Sequence, residues 1–195
     1  MRRVLILSAY ALTFTWAANA LAAAPQLKGQ YAFTGSAACM DAVDPNSFDP
    51  ITFVPTDGTF GQSFAVQGIR TFNGDGTGTV KGSSMGITFP ALNEGASSDD
   101  FQFSFTYVVN SDGSWTSTII GDVTGTVTAG GRKNQTFTVS NFPVFSGWSS
   151  QNNSTLTAAT LTPTIETITF FSAGVKVAVH NRICHRSRVL TKISN

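Results

Sequence analysis

Apolar and polar residues alternate with period two along much of this chain, and no three-turn helical pattern follows the first 23 residues. The alternation is clearest over 101–109. There Phe101, Phe103, Phe105, Tyr107 and Val109 take one face, and Gln102, Ser104 and Thr106 the other. Such a pattern belongs to antiparallel sheet with one buried and one wet face. Asn110-Ser111-Asp112-Gly113 follows at once, and a close copy stands at Asn73-Gly74-Asp75-Gly76. Asp-Gly supplies the positive φ that hairpin turns need. The two turns predict hairpins joining 63–72 to 77–89 and 101–109 to 114–120. A third hairpin is expected at 130–134, joining 123–128 to 135–142, and a fourth at 172–174, joining 164–171 to 175–183. Segments 31–35 and 154–161 are further strands, while Pro, Asp, Asn and Ser mark 40–50, 90–100 and 143–153 as loops. The Thr-Gly-Thr-Val stretches at 77–80 and 124–127 are local strand chemistry and not a repeat. About eight to ten strands joined mainly by hairpins predict an all-β fold, a single antiparallel up-and-down barrel, with a two-sheet β-sandwich as the alternative.

The first residues read differently. Met1-Arg2-Arg3 opens a run that is apolar to about Ala18, and small residues follow at Ala20, Ala22 and Ala23. A basic head, an apolar stretch and a small-residue exit predict a signal peptide over 1–23, cleaved near 20–23, and a periplasmic or extracellular location. No transmembrane anchor is expected after cleavage. The remaining segment, 24–195, suits one domain and can bury a substantial core.

Loss of Arg2 and Arg3 leaves 10 basic against 11 acidic residues, so no bulk attraction to nucleic acid is expected. The distribution is uneven. Ten of the 11 acids lie between Asp41 and Asp122, and half of the remaining cations, Lys176, Arg182, Arg186, Arg188 and Lys192, lie from 176 onward. This basic C-terminal segment is either a surface for an anionic partner, a solvated end, or a partner for the chain's own acids.

Two cysteines, Cys39 and Cys184, stand near opposite ends of the exported segment. In an oxidising compartment they are expected to pair, and a bridge from first to last strand sits where a barrel closes. One detail resists. Cys39 shares parity with the apolar Tyr31 and Phe33, whereas Cys184 shares parity with Lys176, His180 and Arg182. A change of face at Gly35-Ser36 is the expected remedy.

Chemical motifs are weak. Gly82-Ser83-Ser84-Met85-Gly86 matches G-x-S-x-G, with Asp112, Asp122 or Glu166 and then His180 in triad order. The strand-like Ile87-Thr88-Phe89-Pro90 that follows does not make a nucleophile elbow. The segment 73–78 lacks the ligands of a calcium loop and reads as a turn. His180, Cys184 and His185 make an incomplete metal site, with the histidines on opposite faces and His180 expected at the surface. No metal or cofactor is expected. The aromatic face of Phe101, Phe103, Phe105 and Tyr107, joined by Trp115 and Phe137, either fills a barrel or lines a pocket for a small apolar ligand.

Gly29-Gln30-Tyr31 resembles the Gly-x-aromatic opening of lipocalin-like barrels, with Tyr in place of Trp, and Arg182 matches their late arginine. The stretches 72–80 and 107–114 resemble those of small uncharacterised exported bacterial all-β proteins. These resemblances imply a calycin-like barrel in which Arg182 covers the first-strand ring, and they imply no activity. The expected function is therefore a non-enzymatic exported barrel that binds a small apolar ligand. An interaction module acting through the basic segment and a serine hydrolase on Ser84 are the other readings.

Overall fold

The computed structural model describes residues 26–44, 46–56, 58–89 and 95–195. The expected leader and its cleavage site lie outside the described residues. Ten strands follow one another: β1 (Lys28–Ala42), β2 (Thr59–Asn73), β3 (Thr77–Phe89), β4 (Ala96–Val109), β5 (Ser114–Ala129), β6 (Thr136–Ser140), β7 (Phe145–Trp148), β8 (Thr155–Thr160), β9 (Glu166–Ser172) and β10 (Val175–Ser194). They form one antiparallel sheet that closes into a barrel-like ring, because β10 pairs with β1. The fold is all-β, and it is not a sandwich.

The up-and-down order holds from β1 to β6 and then departs. Two short pairs bridge the long β5 and β10. At one end β6 and β9 lie between them, with 123–126 of β5 on β6 and 175–182 of β10 on β9. At the other end β7 and β8 fill the gap, with 114–117 on β7 and 187–191 on β8. A five-residue β6 cannot cover a 16-residue β5, and uncovered backbone groups would remain unpaired. The β7–β8 hairpin supplies the missing partners.

Several strand boundaries differ from those expected. β1 runs from Lys28 to Ala42 and not over 31–35 alone, and β4 begins at Ala96, inside the expected loop 90–100. The segment 143–153, expected as a loop, contains β7. The segments 114–120 and 123–128 are one strand, bent where Gly121 takes φ 70° and the β4–β5 register shifts between Gln102 and Ser104. A positive-φ glycine inside a strand marks a bulge and not an end. The last strand continues past Ile183 to Ser194 because β1 and β8 both pair with its second half.

The twin turns are structural copies. Asp75 accepts the Thr77 amide at 2.9 Å and its hydroxyl at 2.6 Å, and Asp112 accepts the same groups of Ser114 at 2.9 and 2.7 Å. Asn73 and Asn110 donate to those hydroxyls at 2.9 Å. Each carboxylate is thus committed to its turn, and the hydroxyl and amide donors hold both below the usual carboxylate range.

Cys39 and Cys184 are cross-strand partners in the β1–β10 ladder and form a disulfide, with Cα atoms 4.1 Å apart. The expected change of face near Gly35 does not occur. The β1–β2 ladder runs unbroken from Lys28 to Ala42, and β1 slips against β10 only between Gln30 and Tyr31. The parity conflict is resolved on β10, whose polar face points inward. His180, Cys184, Arg186, Arg188 and Leu190 are buried, while Val175, Val177, Val189 and Ile193 are exposed. His180 is therefore an interior residue, contrary to the expected surface position.

The barrel end bearing the 73–76 and 110–113 turns is plugged with aromatic rings. Phe72 stands at its centre, edge-on to Tyr31, Phe105, Tyr107 and Trp115 at centroid distances of 5.2, 5.4, 5.0 and 5.9 Å. Their polar atoms reach rim carbonyls: Tyr31 donates to Asn153 (2.7 Å), Tyr107 to Leu27 (2.5 Å) and Trp115 to Thr157 (3.1 Å). Such pairing satisfies polar tips at the edge of an apolar core.

Candidate functional site

Toward the other end the interior opens into a cavity of about 120 Å³. Its apolar wall is made of inward residues of β2, β4, β5, β6 and β9, with Phe142 from the chain after β6. Phe101, Phe103 and Phe137 lie on this wall, as the alternation on β4 and β6 suggests. Phe105, Tyr107 and Trp115 do not; they belong to the aromatic plug. Phe64, Phe142 and Phe170 join the wall without having been expected.

Glycines make room for these rings. A Cβ on Gly125 would lie 2.3 Å from the Phe137 ring, and one on Gly82 would lie 2.8 Å from Phe101. Each ring lies across the glycine opposite it in the ladder. Thus Gly82 and Gly125, residues that weaken a strand intrinsically, set the shape of the wall.

The opposite side of the cavity is charged, and β10 supplies most of it. Arg182 lies between Asp41 of β1 and Glu166 of β9 in ladder register. Glu166 is fully buried and accepts Arg182 Nε at 3.0 Å. It also holds Arg186, Nη1 on one carboxylate oxygen and Nη2 on the other, the latter at 2.7 Å. Burial pulls the Arg182 guanidinium toward neutrality, but Glu166, Asp41 and Asp99 outweigh it and raise its pKa. For Arg186 burial prevails over Glu166 and lowers the pKa.

Arg188 differs from both. It is 9% exposed and lines the cavity. Its guanidinium lies between the Phe33 and Phe145 rings, 5.0 and 4.9 Å from their centroids. It donates to no carboxylate among the described residues, and its buried Nε has no hydrogen-bond partner. Burial, reinforced by the Arg186 charge and only partly offset by Glu166, brings its pKa down to about 9. Gly35 provides the space for its stem, since a Cβ there would lie 2.7 Å from Arg188 Cγ. Farther into the plug, Arg70 adds a second cation. It donates to Ser117 Oγ at 2.5 Å and lies 3.9 Å from the Phe105 ring centre. Burial pushes its pKa well down, and Arg188 pushes it further.

The interior acids all stand toward the mouth. Asp41 and Glu166 flank Arg182, and Asp99 accepts Ser84 Oγ at 2.7 Å. Burial raises the Asp99 pKa despite that bond and the nearby Arg182. Gly131 and Arg132, from the β5–β6 turn, form part of the rim, where Arg132 contacts His180 Nε2 at 3.2 Å and lies over Phe170.

Ser84 lies within β3, where its hydroxyl serves Asp99 and no histidine. Among the described residues no three His, Cys, Asp or Glu side chains converge on a metal site. Of the basic C-terminal segment, Arg182, Arg186 and Arg188 turn inward, leaving Lys176 exposed and Lys192 half-buried. Arg182 faces Asp41 in the ladder, whereas Tyr31 faces Lys192, so Arg182 does not cover the first-strand ring. The parity of Cys184 is the signal for the inward cations: a cysteine bonded to the inward Cys39 carries His180, Arg182, Arg186 and Arg188 to the same face.

No protein-family model matches the chain, and no curated protein matches it. Among solved structures, the enduracididine biosynthesis enzyme MppR, complexed with the condensation product of pyruvate and imidazole 4-carboxaldehyde, aligns over 87% of this chain and 89% of its own. The identity is 11% and the TM-score 0.20, a likeness that carries no argument about fold or function. No described helix is long and apolar enough to cross a membrane.

Proposed function

We propose that this protein is an exported, disulfide-closed barrel of lipocalin-like type that binds a small, mainly apolar ligand in its interior. The observation that carries the reading is the cavity of about 120 Å³ beside Phe103, Phe137 and Phe142. An apolar cavity of about 150 Å³ accepts benzene, so this one suits a single ring or a branched alkyl group and not a long lipid chain. The leader pattern and the disulfide support export. The commitment of Ser84 to Asp99 favours binding over hydrolysis.

Titration with toluene, followed by NMR of the inward methyl groups, tests the reading. Saturable shifts at Val66, Val139 and Ile168 are expected. Shifts confined to exposed residues such as Val108 and Ile120 would contradict it.

A further inference from the structure

We propose that the ligand is a small organic anion, a carboxylate of single-ring or short branched type, and that Arg188 binds its carboxylate. The inference rests on the cavity-binding reading and adds the chemical class of the ligand.

Three observations lead to it. Arg188 is buried, lines the cavity, and gives its guanidinium to no acid among the described residues. Glu166 is engaged elsewhere, with both of its oxygens held by Arg186 and one also by Arg182, and it offsets the Arg188 charge only in part. Arg70 stands behind Arg188 and adds charge of the same sign, while Asp41, Asp99 and Glu166 all lie on the mouth side. A buried cation with no hydrogen-bonded counter-charge is costly, and a ligand that brings an anion lowers that cost. A neutral ligand of the same shape leaves it in place.

The geometry also fits the class. A guanidinium presents parallel N–H groups that match a carboxylate in two-point fashion. Phe33 and Phe145 flank the Arg188 guanidinium and Gly35 admits its stem, so the group is held before any ligand arrives. Phe103, Phe137 and Phe142 then face the remainder of the cavity, where the hydrocarbon part of the anion lies.

Calorimetric titration of the exported chain in chloride-free buffer, with benzoate, benzyl alcohol and toluene as probes, separates the outcomes. Benzoate is expected to bind at least about tenfold more tightly than benzyl alcohol, as a charge-assisted bond requires. Arg188→Met is expected to abolish that preference and to retain benzyl alcohol. Equal binding of benzoate and benzyl alcohol, or an unchanged preference in Arg188→Met, overturns the anion inference and leaves the cavity reading standing. Binding of none of the three probes overturns both. Should the variant fail to fold, the Arg188 Nε–H resonance of the unaltered protein decides. It is expected to shift with benzoate and not with benzyl alcohol, and an unmoved resonance overturns the inference. An Arg188 signal that responds fully to chloride and is not displaced by benzoate assigns the site to inorganic anions and also overturns it.

Discussion

Arg186 closes on Glu166 with both terminal nitrogens, one to each carboxylate oxygen. This ion pair organises the charged half of the interior, because Arg182 shares the same carboxylate. Glu166→Gln removes the counter-charge and leaves buried guanidiniums facing one another. A loss of about 3–5 kcal/mol is expected, the usual cost of breaking a buried pair from one side. Urea unfolding of the variant at neutral pH measures it.

Arg188 should behave in the opposite way. Arg188→Met replaces a buried cation that no carboxylate hydrogen-bonds by an apolar side chain of similar length, and the ligand-free protein is expected to gain about 1–4 kcal/mol. The gain depends on pH with a defined sign. The folded protein holds this guanidinium with a pKa of about 9, well below its ordinary value, so above about pH 9 the unfolded chain binds the extra proton. The sign follows from proton counting: with more protons bound by the unfolded chain, each further rise in pH favours the folded state. The destabilisation that Arg188 imposes is thus greatest below about pH 9 and lifts above it. The advantage of Arg188→Met is expected to be constant from about pH 6 to 8 and to shrink from about pH 9 to 10.

Gly125 is required by Phe137 and by the backbone of β4. A Cβ there would meet the Phe137 ring at 2.3 Å and the Asp100 carbonyl at 2.4 Å. Gly125→Ala is expected to cost about 1–3 kcal/mol, the range for overpacking, and to displace Phe137 from the cavity wall. Unfolding measurements give the first quantity, and ring shifts of the neighbouring Val139 in NMR report the second.

The disulfide joins residues 145 positions apart, across a ladder that continues on both sides of it. Reduction is expected to lower stability by about 2–5 kcal/mol, through the freedom returned to the unfolded chain. The barrel itself should persist, because β1 remains hydrogen-bonded to β2 and β10 along most of its length. Unchanged far-ultraviolet circular dichroism with a lower urea midpoint is the expected pair of results.

Features that depend on local chemistry are legible in the sequence. The Phe101-to-Val109 alternation, the twin Asp-Gly turns and the Cys39–Cys184 pair all stand where the pattern places them. Features set by competition between distant segments are not. Loop signals around Pro143 hide β7, a strand of four residues whose only pattern is its pairing with β5 and β8. Gly121-Asp122 reads like a strand end because a bulge and a turn use the same residues. The largest departure is β10. Hydrophobic patterning assigns arginines to solvent, and nothing local announces that Glu166 and a ring of phenylalanines receive them. Half of the expected aromatic site falls in the plug for a related reason: alternation tells which face a ring takes and not how far along the barrel the open space lies.

A crystal structure of the protein grown with benzoate decides whether the interior takes the anion. The ring is expected beside Phe103, Phe137 and Phe142, with both carboxylate oxygens on the Arg188 guanidinium. An interior filled only by protein side chains or water, with benzoate absent or bound outside the barrel, would contradict it.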